Sequence, residues 1–360
     1  MPERIYNFSA GPATLPYSVL EEAAKDIVNF KDKGIGLIEM SHRSKEFMAV
    51  ADETEALVRE LLEVPENYKV LFLQGGASSQ FFMIPMNLLG VGKKATYLNT
   101  GTWTKKAIKE AKLFGGIDVA YSSEESNFNR VPDEDEYSVD RCSEYLYLCS
   151  NNTIYGTQFA QFPEKGNMLI CDMSSDIFSR QLDISRFGII FAGAQKNMGP
   201  AGVTLVIIRE DLLDSTPDNV PTMLRYKTHA DKGSMFNTPP TFAIYCVGRV
   251  LTWLKGQGGV AAIQKLNEEK AALLYEAIDG NDFYRGHAEK ASRSLMNVTF
   301  NLPTPELEAE FIAEAAAMGL DGLKGHRSIG GCRASIYNAF PKEGVEKLVA
   351  FMAEFAAKKS

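Results

Sequence analysis

Apolar residues recur three and four positions apart over 16–30 (PYSVLEEAAKDIVNF) and 44–64 (SKEFMAVADETEALVRELLEV), which predicts two amphipathic helices. The pattern then changes to short runs rich in branched and aromatic residues. They fall at 68–74 (YKVLFLQ), 95–99 (ATYLN), 118–123 (DVAYSS), 144–150 (EYLYLCS), 168–174 (MLICDMS), 188–193 (GIIFAG) and 202–209 (GVTLVIIR). Each run predicts a strand, and most are separated by room for a helix such as 104–114 (TKKAIKEAKLF). Strands that are apolar on both faces and joined by helical crossovers imply a mostly parallel sheet in an α/β layer. The last two runs stand too close together for a crossover helix, so an antiparallel strand is expected there.

From about residue 240 the pattern becomes helix-rich. Helices are expected at 240–255 and 258–279, then a strand at 294–302, a helix at 305–319, a strand at 332–338 and a closing helix at 343–359. That succession describes a smaller α+β unit beginning near residue 260.

Charge and cysteine usage narrow the function. A net charge of -8 argues against a general nucleic-acid or membrane-surface binder, although clustered cations can still hold an anionic ligand. The five cysteines show no CxxC spacing, so neither disulfides nor a zinc site is expected and no metal is assigned. The opening stretch MPERIYNFSAGPATLP has no apolar signal core and no run is long enough to span a membrane, which points to the cytoplasm.

In open α/β sheets, ligands sit beyond the carboxyl ends of the strands. Here those ends carry chemistry: Gly75-Gly76-Ala77-Ser78-Ser79, Thr100-Gly101-Thr102-Trp103, Asn151-Asn152-Thr153, Asp172, and Gln195-Lys196. A lysine leaving a buried strand loses hydration, which lowers its pKa and makes the amine nucleophilic. Its position alone favours a surface lysine that ends a strand. Pyridoxal phosphate is the common cofactor that asks for such an amine. It also needs a buried carboxylate for its ring nitrogen, donors at a helix N-terminus for its phosphate, and a flat apolar surface for its ring. Asp172, the glycine turn before an apolar helix, and Trp103 each have an ordinary structural reading too: a strand-end cap, a turn, core packing. All occurring at successive strand ends, they point to the cofactor.

The segments Asp172 with Ser174-Ser175, GAQKNMGPAG (193–202), SHRSKEF (41–47), GSMFNTPPTF (233–242) and Gly325-His326-Arg327 with Arg333 carry a resemblance. They are similar to the phosphoserine-specific branch of the class V, fold-type-I pyridoxal phosphate aminotransferases, from NFSAGPATLP to CRASIYNAF. The resemblance implies a large domain over 16–258 with a seven-stranded sheet between helices. Residues 1–15 and 259–360 would form the small domain. It also implies a homodimer with shared active sites. Lys196 would bind the cofactor aldehyde covalently, Asp172 would pair with the ring nitrogen, Trp103 would stack on the ring and Thr153 would lie beside its polar edge. Ala77, Ser78 and Gln195 would hold the cofactor phosphate, with Asn237 and Thr238 supplied by the neighbouring subunit.

The substrates such a likeness implies are glutamate and 3-phosphohydroxypyruvate, giving O-phosphoserine and 2-oxoglutarate in serine biosynthesis. A further reaction it allows uses 4-phosphohydroxythreonine in pyridoxine biosynthesis. Each amino acid carries an α-carboxylate and a distal anion, and the arginine fork suits both. Arg333 would take the α-carboxylate with Ser9 as helper. His326 and Arg327, with His42 and Arg43 of the other subunit, would hold the distal anion. Ser78 departs from members that carry an arginine there, which puts more of the phosphate's weight on His326 and Arg327. Rival readings are a class V cysteine desulfurase, an alanine–glyoxylate type transaminase, and a non-catalytic scaffold. The first needs a nucleophilic cysteine on a mobile loop, the second has no need of two His-Arg pairs, and the third leaves the intact lysine, aspartate and phosphate turn without a purpose.

Overall fold

In the computed structural model, which describes residues 4–166 and 168–359, all seven apolar runs lie on strands of one sheet. They are β1 (Tyr68–Leu73), β2 (Lys94–Asn99), β3 (Gly116–Ser122), β4 (Ser143–Cys149), β5 (Leu169–Asp172), β6 (Phe187–Gly193) and β7 (Thr204–Arg209). Their spatial order is β1-β7-β6-β5-β4-β2-β3. Only β7 runs against its neighbours β1 and β6, and the other pairs are parallel. The reason is the one legible in the sequence: residues 194–203 can turn the chain back but cannot carry a helix across the sheet.

Strands β5 and β6 are buried along their whole length because helices cover both faces. On one face pack α3 (Gly76–Leu88) and α4 (Thr102–Ala111), with Phe81, Ile84 and Ile108 against Tyr97, Tyr147 and Phe191. On the other lie α2 (Lys45–Leu62) and α5 (Thr241–Gly256), whose Phe47, Val58, Val247 and Leu251 meet Leu148, Cys171 and Ile190. The first helix, α1 (Tyr17–Val28), ends two residues short of its expected limit. There Asn29 takes φ of -152° and ψ of 92°, an extended backbone that cannot continue a right-handed helix.

Beyond α6 (Gly259–Asp279), strands Arg285–Gly286, Asn297–Asn301 and Cys332–Ser335 make a three-stranded antiparallel sheet. It is backed by α6, α7 (Pro305–Ala317) and α8 (Lys342–Lys359) through Leu274, Phe311, Leu348, Phe351 and Phe355. The chain's beginning joins this core: Tyr6–Asn7 pairs with Leu320–Asp321, and Phe8 is fully buried in the same cluster. Burying one such ring contributes about 1.5–3 kcal/mol, enough to anchor the loop that follows. Neither two-residue strand was expected, and nor was the hairpin of Asn151–Asn152 with Thr157–Gln158. Among the described residues no helix is long and apolar enough to cross a membrane.

Candidate active site

Asp172 closes β5 and Lys196 follows the end of β6, so two adjacent parallel strands deliver both groups to one edge of the sheet. The strand expected at 168–174 stops at Asp172 because the chain turns there, with Ile177 N donating back to Met173 O at 2.8 Å. Asp172 is 3% exposed. Its Oδ1 accepts from Ser174 N at 2.9 Å and from Ser174 Oγ at 2.6 Å. Ser174 Oγ in turn accepts from Gly193 N at 3.0 Å, which fixes the carboxylate relative to the end of β6. Loss of hydration pushes the Asp172 carboxyl up, against the opposing pull of Lys196 and of the bonds from Ser174.

The amine of Lys196 donates to Thr153 Oγ1 at 2.8 Å and lies 5.2 Å from the centre of the Trp103 ring. Loss of hydration lowers its pKa, while the charge of Asp172 works to restore it. More of the free amine is therefore present near neutrality than on an exposed lysine. The lysine stem is covered by the N-terminal loop. A Cβ at Gly11, where φ is +153°, would come within 3.4 Å of Lys196 Cγ. Ala13 N donates to Gln195 O at 2.9 Å, and Tyr337 Oη donates to Ala10 O at 2.7 Å, which pins that loop.

Trp103 and Thr153 are placed by one contact. A Cβ at Gly101 would sit 2.5 Å from Asn152 Oδ1, so only glycine lets the start of α4 close onto the hairpin. The Asn152 amide also donates to Thr100 Oγ1 and Thr157 Oγ1 at 3.3 and 3.1 Å. Arg333 enters from the small sheet and donates from Nη1 to Thr153 O at 3.4 Å. Its Nε is buried without a partner among the described residues, and loss of hydration works against its charge. A half-buried guanidinium with an idle, shielded donor is suited to an anion.

Gly75 and Gly76, at φ of 92° and 67°, turn the chain from β1 into α3, and no side chain caps that helix. Its first N–H groups, at Gly76, Ala77 and Ser78, therefore remain available for an anion. Phe81 packs edge-on against Phe191 at 6.2 Å, which lays α3 over the strand that leads to Gln195 and Lys196. A second cationic group is the loop 325–331, closed by Gly325 N donating to Gly331 O at 2.9 Å. It holds His326 and Arg327 near enough to Arg333 and Lys106 for their charges to lower the His326 pKa, after loss of hydration.

Not every expected residue joins this group. Asn237 donates to Gln74 Oε1 at 3.3 Å, and Thr238 O accepts from Gln74 Nε2 at 3.1 Å. Among the described residues, no hydrogen bond or ion pair links them, His42 or Arg43 to Lys196, Asp172 or Arg333. His42 Nε2 is shielded from solvent with no partner there. Ser9 N donates to Asn7 Oδ1 at 3.0 Å, and its Oγ lies against Gly322. Its neighbour Phe8 accepts from Ser335 N at 3.2 Å, which sets Ser9 beside the strand of Arg333.

Sequence reasoning missed a buried polar junction behind the lysine. Asn197 Oδ1 accepts from Asn338 N at 2.9 Å, and the Asn338 amide donates to Phe178 O at 2.9 Å and accepts from Asn267 at 2.8 Å. Lys270 Nζ donates to Ile336 O, Tyr337 O and Phe340 O at 2.9, 2.7 and 3.2 Å. The segment that carries Arg333 is thereby tied to the one that carries Lys196. Loss of hydration lowers Lys270 to about 7, while three carbonyls favour its charged form. In the sequence Asn197 and Asn338 resemble turn residues, and Lys270 a solvated helix position. Asn338→Ala should cost about 2–4 kcal/mol, because it strands a buried carbonyl and a buried amide. Urea unfolding measures this, and an unchanged midpoint would show the junction to be dispensable.

A family model described as aminotransferase class-V matches residues 5–348. The chain is 74% identical over 357 residues to the phosphoserine aminotransferase of Desulfotalea psychrophila, with 99% of each chain covered. A solved phosphoserine aminotransferase from Bacillus circulans subsp. alkalophilus superimposes with a TM-score of 0.97 at 52% identity, covering 99% of each chain. A pyridoxal-phosphate-bound phosphoserine aminotransferase from Trichomonas vaginalis does so with a TM-score of 0.93 at 42% identity, covering 97% of this chain and 100% of its own. With these likenesses spanning the sheet, the lysine and the small C-terminal sheet alike, the chain belongs to the class-V aminotransferase family.

Proposed function

We propose that the chain is a pyridoxal-phosphate-dependent transaminase that exchanges an amino group between glutamate and 3-phosphohydroxypyruvate, giving 2-oxoglutarate and O-phosphoserine for serine biosynthesis. The observation that carries this reading is Lys196, an amine weakened in charge by loss of hydration, held by Thr153 against Trp103 in the field of a buried acid and a half-buried arginine. The residues fit the cofactor. Asp172 keeps Oδ1 engaged with Ser174 while its other oxygen makes no hydrogen bond among the described residues, the uncapped start of α3 awaits an anion, and Trp103 offers a ring face.

When bound, pyridoxal phosphate supplies an aldehyde that exchanges amines and a ring that spreads the electron pair left on Cα. Asp172 would hold a proton on the ring nitrogen, and the N–H groups of Ala77 and Ser78 with Gln195 would hold the phosphate. Lys196 Nζ would take the proton from the substrate Cα and return it to the carbon on the far side of the exchanging nitrogen. Arg333 binds the α-carboxylate beside Ser9, and His326 with Arg327 binds the distal anion.

The working unit we infer is a cytoplasmic homodimer of two-domain subunits, divided into 16–258 and 1–15 with 259–360. Two of its features support that reading. Among the described residues, Asn237, Thr238, His42 and Arg43 make no hydrogen bond or ion pair to Lys196, Asp172 or Arg333 of their own subunit, and Tyr17, Leu20, Ile38, Met223 and Phe236 leave large apolar surfaces exposed. In the dimer, Asn237 and Thr238 of the partner subunit would complete the phosphate site, and His42 and Arg43 of the partner subunit the anion site. Desulfuration is disfavoured: Cys149, Cys171, Cys246 and Cys332 are buried with thiols raised by loss of hydration, and the exposed Cys142 stands just before β4, at the opposite end of the sheet from Asp172.

Coupled turnover with glutamate tests the reading. Two charge-assisted bonds to the phosphate, each about 1.5–3 kcal/mol, should make 3-phosphohydroxypyruvate about 10²–10⁴-fold better in kcat/KM than hydroxypyruvate. Equal values for the two would remove the case for an anion-reading pocket.

A further inference from the structure

We propose that His326 recognises the distal anion as a neutral imidazole carrying its proton on Nε2, in a form set by its neighbour Ser328. This rests on the function proposed above for the identity of the ligand. Ser328 N lies 3.2 Å from His326 Nδ1 and Ser328 Oγ lies 2.9 Å from it. A backbone N–H can only donate, so Nδ1 must accept with its lone pair. The single proton of the neutral ring is then on Nε2, the nitrogen that faces away from Ser328. Protonating Nδ1 would set one N–H against another and forfeit this contact.

The loop fixes this geometry. Ile329 N and Gly330 N both donate to His326 O, at 3.0 and 2.9 Å, so the chain wraps tightly around His326 and has little freedom to carry Ser328 away. The groups facing the ring come from three other places: Arg327 on the loop, Arg333 on the strand Cys332–Ser335, and Lys106 on α4. All are cations, and with loss of hydration they lower the His326 pKa. Glu308 on α7, the carboxylate packed at the base of the loop, accepts from Gly331 N and Asn301 Nδ2 at 3.0 Å each. Its charge is spent on the loop's foot.

The division of labour follows. Arg327 balances the ligand's charge, and His326 adds one directed N–H whose presence does not depend on pH in the physiological range. An imidazolium would behave differently: its contribution would be present below the pKa and lost as pH rose through about 6–7. Glutamate is the suitable probe, because its γ-carboxylate stays ionised throughout that window, whereas a phosphate monoester titrates within it.

The test uses the holoenzyme with ¹⁵N-labelled histidine, the His326 signals being those lost in His326→Gln. From pH about 6 to about 8, His326 should show a bare Nδ1 and a protonated Nε2, without glutamate and with it. An imidazolium pattern in that range, or a proton on Nδ1, overturns the proposal. The kinetic arm asks whether a neutral donor rescues. His326→Ala should raise KM for glutamate about tenfold, and His326→Gln, whose amide still donates, only about threefold. Glutamine faring no better than alanine also overturns it. A wild-type protein unable to pass its amino group from glutamate would sink the proposed function instead, and the spectrum of the ligand-free holoenzyme would still decide the tautomer.

Discussion

Replacing Lys196 by alanine is expected to lower transamination by about 10⁴-fold or more, since it removes the covalent anchor and the proton carrier together. The fold should survive. The side chain is half-buried, and its polar contacts are one hydrogen bond to Thr153 and the face of Trp103. The charge it loses is one that burial already disfavours. Its removal should therefore change stability by no more than about 1 kcal/mol. Three readouts separate loss of chemistry from loss of structure: steady-state turnover, the visible absorbance of the bound cofactor, and the thermal midpoint. Turnover should vanish, the absorbance should shift to that of free aldehyde, and the midpoint should hold. Small primary amines added to the variant should recover part of the proton transfer, because they can occupy the volume vacated beyond Thr153. Turnover within tenfold of wild type would exclude Lys196 as the reacting amine. In the wild type, the lowered pKa should also show in reconstitution. Cofactor capture should be fast at a pH where an ordinary lysine is almost wholly protonated.

What the sequence disclosed and what it hid divide along physical lines. Strands β5 and β6 are apolar on both faces, so their runs stand out from any window of the chain, and the short link to β7 dictates its direction. The chemistry at strand ends was legible for the same reason: Asp172 and Lys196 are charges at the margin of otherwise dry segments, and such charges require a cause. Pairings of two residues, such as Tyr6–Asn7 with Leu320–Asp321, are not legible, because their partners lie some three hundred residues apart and the stretches are too short to show alternation. The junction of Asn197, Asn267, Lys270 and Asn338 was hidden by its composition. Each residue is of a kind normally solvated, and only the tertiary fold supplies the carbonyls that permit burial. In the sequence, Ser174 stands out by likeness alone. That it holds Asp172 by two bonds emerges from the turn closing over β5. The same limit applies to Asn237, Thr238, His42 and Arg43, whose proposed roles depend on a second subunit.

Asp172→Asn should reduce kcat by about 10²–10⁴-fold while leaving the ligand-free protein at least as stable as wild type. The first half follows from charge. Asparagine preserves the size of the side chain and an oxygen for Ser174, but it cannot balance a protonated ring nitrogen. Breaking a buried charge pair in this way costs about 3–5 kcal/mol, and each 1.36 kcal/mol is about tenfold in rate. The second half follows from the sign of the pKa shift. A carboxyl whose folded pKa lies above its unfolded value weakens folding as pH rises through that interval, because the unfolded chain ionises more readily. Without the cofactor, Asp172 is therefore a liability near neutrality, and asparagine removes it. With the cofactor bound, the order should reverse, since the wild-type charge has found its partner. Thermal midpoints of apo and holo forms, measured for both proteins above the unfolded carboxylate range, should thus cross: the variant equal or higher without cofactor and lower with it. An aspartate kept only to cap the strand would lower the midpoint of both forms on replacement, and that outcome would refute its assignment to the ring nitrogen.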